Sequence, residues 1–112
     1  MNAPLTSPYE DTIVGLAKRR PALRKAMLLG AIEELLTGEP YVARAKLRTL
    51  ILATIGFPGL AEIAGIHEKS LIRMLGPKGN PTSDNLLTII RVLAEREKVQ
   101  FTVKAAPPRK AA

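Results

Sequence analysis

The chain has no cysteine, a single histidine, and only 10 aspartates and glutamates against 17 lysines and arginines. Without cysteine there is no disulfide, no thiolate zinc site and no cysteine nucleophile. The one histidine, His67, falls at a predicted helix cap rather than beside a carboxylate. Glu10-Asp11 and Glu33-Glu34 are sequence neighbours on predicted helices, a pattern of solvated faces rather than of acid-base pairs. Glycine-rich phosphate loops are missing too. An enzyme is therefore not expected, nor a metal or cofactor. The longest uncharged run, Thr49 to Ala61, is too short to cross a bilayer and contains Pro58, so it belongs in a protein interior. The Met-Asn-Ala-Pro start lacks the charged-then-apolar plan of a signal peptide, and a cytoplasmic location is expected.

What is present is enough for one compact domain: 112 residues, 46% of them hydrophobic. The net charge of +7 favours a polyanionic partner such as nucleic acid, without choosing between DNA and RNA.

Ser7-Pro8-Tyr9-Glu10 reads as a helix start, with serine as cap, proline at the first position and glutamate at the third. This helix is expected to run from Pro8 to about Arg19, where Lys18-Arg19-Arg20-Pro21 makes a basic corner. Leu23, Met27, Leu28, Ile32, Leu35 and Leu36 form the stripe of a second helix that stops at Thr37-Gly38. A third spans Tyr41 to Thr54, with Leu47, Leu50 and Ile51 inward and Arg44, Lys46 and Arg48 toward water. Gly56-Phe57-Pro58-Gly59 is expected to close it. Two short helices, near 59–64 and 68–75, precede a turn-rich loop, Gly76 to Pro81. Thr82 or Ser83 then caps a last helix through about Arg96, its buried face drawn from Leu86, Leu87, Ile90 and Leu93.

Val99 to Val103 alternates apolar and polar residues and predicts a strand. A lone strand needs a partner. Either the same strand of another copy pairs with it across a two-fold axis, through Val99, Phe101 and Val103, or its apolar face packs on its own helices. The first reading predicts a homodimer. Three regions follow: a helical pair at 1–38, a core with its dimerisation strand at 39–104, and a flexible basic tail at 105–112.

The most informative stretch is Leu60 to Leu75. Ala61 is small enough for a second helix to cross closely, Gly65 can take a left-handed turn, and Ile66, Leu71 and Met74 can fill the angle between two helices. This is a helix-turn-helix pattern, in which the second helix lies in the DNA major groove. Glu68, Lys69, Ser70, Ile72 and Arg73 are then the base-reading candidates. Lysine and arginine donate to guanine acceptors, glutamate accepts from a cytosine amino group, and isoleucine meets a thymine methyl. His67 is a poorer cap than serine, which hints at a nucleic-acid contact instead. Lys78 and Asn80 in the next loop, with Arg44, Lys46 and Arg48, are the other candidates for phosphates. The motif is only weakly basic, since Glu62 and Glu68 offset Lys69, Arg73 and Lys78. Charge must come from elsewhere in the chain.

From about Leu47 to Leu93 the pattern Leu60-Ala61, Gly65-Ile66, Ser70-Leu71, Arg73, Gly76 and Pro81 resembles the Cro/CI-type (Xre) repressor domain. Ser70 to Leu75, Gly79-Asn80-Pro81 and Asn85-Leu86-Leu87, followed by a terminal strand, resemble more narrowly the addiction-module antidote proteins, HigA-like antitoxins among them. The resemblance implies an all-α domain of five to six helices with a lambda-repressor-like core, plus one C-terminal β-strand shared across a dimer. It also implies a regulator that binds a palindromic DNA operator, often represses its own operon, and in antitoxin members holds a toxin protein. Many such domains carry a phosphate-contacting glutamine where this chain has Phe57-Pro58-Gly59. The competing expectation is a protein-interaction module, antitoxin or scaffold, with weak or no specific DNA binding.

Overall fold

Pro8–Arg19 (α1) and Pro21–Thr37 (α2) form where apolar spacing predicts them. They meet at Pro21, whose missing N–H costs nothing in the first turn of a helix. The computed structural model describes residues 8–108, so the Ser7 cap and the Arg109-Lys110 end of the tail lie outside the described residues. α2 stops because Gly38 turns left-handed, at φ 95°, and the amides of Gly38 and Glu39 both return to the Glu34 carbonyl.

Pro40–Ala53 (α3) bends through 101° into Gly56–Ala64 (α4). Gly56 to Gly59, expected as a closing loop, is instead the first turn of α4. Pro58 fits there because the first amides of a helix have no internal acceptor. Phe57, 2% exposed, anchors the segment on the core. Glu68–Met74 (α5) follows a short turn in which Gly65 is left-handed, at φ 70°, and donates to the Ala61 carbonyl at 3.0 Å. Ser83–Arg96 (α6) starts at a Thr82 cap whose hydroxyl accepts the Asn85 amide at 3.1 Å.

Helices are the only regular secondary structure among the described residues, so the β-strand expected at Val99–Val103 is not formed. Its replacement is a helix-ending turn. Lys98 takes a left-handed conformation, at φ 58°, and the Lys98 and Val99 amides return to the Glu95 and Ala94 carbonyls. The chain then runs extended, with Val99 and Phe101 packed against the core and Val103 92% exposed. One chain offers this segment no neighbouring backbone to pair with, so side-chain burial decides its course.

Leu28 and Ala31 of α2, Leu47, Leu50 and Ile51 of α3, Phe57 and Leu60 of α4, Leu71 and Leu75, and Ile89 and Leu93 of α6 make one continuous core. α2 thus shares one core with the helices of residues 39–104. α2 and α3 approach closely because Gly30, Ala31 and Ala43 are small; a Cβ on Gly30 would lie 2.8 Å from Lys46 Nζ. Leu36 and Leu87, expected inward, are 74% and 47% exposed. No single helix among the described residues is long and apolar enough to cross a membrane.

Arg24 clamps the helices where α1 and α6 end. Its guanidinium donates to the Ala17 and Lys18 carbonyls, at 2.9 and 3.1 Å, and to Glu97 Oε2 at 2.9 Å. The Lys18 carbonyl at the end of α1 gains a charged donor, the Ala17 carbonyl gains one beside the Arg20 amide, and a nearly buried carboxylate gains its counter-ion.

Candidate nucleic-acid interface

α5 is held from behind. Leu71 and Leu75 are wholly buried, and Met74 packs against the same core. The helix spacing that points Leu71 and Leu75 inward points Lys69 and Arg73 outward, and both are exposed. Glu68 and Ser70 are half-buried beside them. Ile72, expected to face a base methyl, packs partly inward and lines a small apolar hollow with Phe57 and Pro77. Part of its surface is therefore spent on the fold.

His67 is exposed, and its Nδ1 accepts the Lys69 amide at 3.2 Å. The imidazole is thus a working cap, where the residue type had suggested a nucleic-acid contact in place of one. With Nδ1 accepting, the neutral ring carries its proton on Nε2, which remains a donor at the exposed start of α5.

Lys78 and Asn80 are exposed in the loop after α5. The loop is pinned tightly: Gly79 donates to the Gly76 carbonyl at 3.0 Å, and a Cβ on Gly79 would collide with the Met74 carbonyl oxygen. Only glycine lets the loop return this closely over the end of α5.

Two of the three cations of α3, Lys46 and Arg48, are held in ion pairs instead of standing in the free positive rim expected of them. Arg48 donates to Glu10 Oε2 at 2.7 Å and to the Leu75 carbonyl at 2.8 Å, with its side chain 17% exposed. It joins α1 to the end of α5. Lys46 is paired with Glu34 at 2.5 Å. The Arg44 guanidinium lies 5.9 Å from the centroid of the Tyr41 ring, and its buried Nε has no hydrogen-bond partner among the described residues. Helix periodicity places Lys46 and Arg48 outward, but it carries no information about carboxylates arriving from α1 and α2.

Two features escaped the sequence reading. An apolar groove of about 650 Å³ runs between α2 and α6, lined by Leu35, Leu36, Leu87, Ile90, Val99 and Phe101 among others. A second, polar cleft brings the ends of α1, α3 and α6 together, with Lys18, Thr54 and Arg96 on its walls. The basic corner at Lys18 was legible, but its meeting with Arg96 was not. Among the described residues there is no cluster of three or more acidic or histidine side chains that could hold a metal. Compared with protein-family models, curated proteins and solved structures, the chain matches none.

Proposed function

We propose that the protein is a sequence-specific DNA-binding regulator of the helix-turn-helix type, a cytoplasmic, non-enzymatic member of the Cro/CI-type family. One observation carries this reading: a short helix, buried on Leu71 and Leu75, presents Lys69 and Arg73 to solvent from the core. A recognition helix needs those two properties, outward donors and a buried inner face. Lys69 and Arg73 read base edges, Glu68 and Ser70 flank them, and His67, Lys78 and Asn80 meet the backbone.

The functional unit in this reading is a homodimer. Residues 100–108 make no hydrogen bond among the described residues, while Leu36, Leu87 and Val103 leave apolar surface beside the groove open. A second copy of the same segment, running antiparallel across a two-fold axis, satisfies both the open backbone and the apolar face. The palindromic operator and autorepression, and a toxin partner in antitoxin members, follow from the resemblance.

Binding of a palindromic duplex from upstream of the protein's own gene tests the reading against random duplex of equal length. A preference of at least about 1,000-fold is expected. Lys69→Ala and Arg73→Ala should each reduce it by about 1–3 kcal/mol. Equal affinity for every duplex would hand the case to the interaction-module alternative, in which the groove holds a different protein.

A further inference from the structure

The α4–α5 region is nearly neutral, because Glu62 and Glu68 offset most of Lys69, Arg73 and Lys78. The chain's charge excess is concentrated elsewhere. The C-terminal ends of α1, α3 and α6 converge on one polar cleft of about 390 Å³, lined by Lys18, Arg24, Ala53, Thr54, Arg96 and Glu97. Arg19 and Arg20 continue round the corner from Lys18, and Lys98 follows Glu97. Lys18, Arg19, Arg20, Arg96 and Lys98 are all exposed, and none is in an ion pair among the described residues.

Cations at helix C-termini have an ordinary structural use, since each helix end carries about half a negative charge. Three such ends supply only about −1.5. Glu97, the carboxylate within the cleft, is neutralised by Arg24 at 2.9 Å. Glu95 lines the neighbouring grooves of α6 instead. Even counted against the five cations, it leaves an excess of about two to three positive charges once the helix ends are allowed for. Fold stability alone does not account for that excess.

We propose that this basic cap binds the phosphates of duplex DNA flanking the segment read by α5. The inference rests on the DNA-binding reading above and supplies the electrostatic half that the recognition helix lacks. Thr54, on the wall of the cleft, leads within two residues into α4, and α4 leads into α5. A nine-residue helix spans about 13 Å, well within the roughly 34 Å of one duplex turn. Cap and recognition helix therefore lie within reach of one duplex. Cations that meet phosphates release condensed counter-ions, so the cap sets the salt dependence of binding while α5 sets sequence preference.

Three proteins separate the roles: wild type, Arg19→Ala/Arg20→Ala/Arg96→Ala, and Lys69→Ala/Arg73→Ala. Affinity is measured between about 50 and 300 mM salt on operator and random duplexes, with urea midpoints to confirm intact folding. The cap variant should lower the slope of log K against log salt by about 2–3 on both duplexes and leave their ratio unchanged. The α5 variant should erode the ratio. An unchanged slope in the cap variant overturns the proposal, as does a wild type that binds no duplex. Equally tight, cap-dependent binding to single-stranded RNA also overturns it. The random duplex separates the two ideas. Cap-dependent binding without sequence preference keeps the cap and sinks the regulator, and a strong preference with an unchanged slope does the reverse.

Discussion

Removing Arg24 should cost far more than removing its partner Glu97, because the two deletions leave different debris. The Glu97 side chain is 6% exposed, and it sits where the negative end of α6 already disfavours a carboxylate. Arg24→Ala leaves that charge unmatched and also strips donors from the Ala17 and Lys18 carbonyls. Breaking a buried pair in this way costs about 3–5 kcal/mol; the 18% exposure of Arg24 places the expected value near 3. Glu97→Gln leaves a guanidinium that keeps two carbonyl acceptors, and it should cost about 1–2 kcal/mol. The double variant Arg24→Met/Glu97→Leu removes both charges while preserving bulk, and should recover to within about 1 kcal/mol of wild type. Urea unfolding reads all three, with a midpoint shift of about 1–2 M for Arg24→Ala at unchanged slope. If Arg24→Ala costs no more than Glu97→Gln, or the double variant costs more than Arg24→Ala alone, the clamp reasoning is wrong.

Arg48→Ala should destabilise the fold by about 1–3 kcal/mol through loss of the Glu10 and Leu75 contacts. It should leave the salt slope of DNA binding unchanged, where a phosphate contact would lower it by about 1. Gly65→Ala, in open space but at φ 70°, should cost about 1–2 kcal/mol of conformational strain. Gly79→Ala should cost more, because its Cβ would strike the Met74 carbonyl; equal denaturation midpoints for the two variants would contradict the tight loop. Phe101→Asp should shift the protein toward monomer in sedimentation equilibrium, and a monomeric wild type would remove the dimer from the reading.

Helix positions were legible because their causes are local. Pro21 opens a helix, and Gly38 and Gly65 close helices through left-handed turns that cost glycine little. The inward placement of Leu47, Leu50, Leu71 and Leu93 followed from a period of 3.6 residues. Gly56 to Gly59 was misread because glycine and proline usually break structure, and only the burial of Phe57 on a core assembled from distant helices turns the segment into one.

The site divides along the same line. That Lys69 and Arg73 face outward while Leu71 faces inward was already determined by spacing along one helix. Which cations remain free was decided only in three dimensions, where Glu10 reaches Arg48, Glu34 reaches Lys46, and Arg24 draws the end of α1 against the end of α6. Periodicity is a property of one helix, whereas the pairing of charges depends on which helices meet. Tertiary packing thus took Arg48 and Lys46 into the fold and left Lys18 and Arg96 together at the surface.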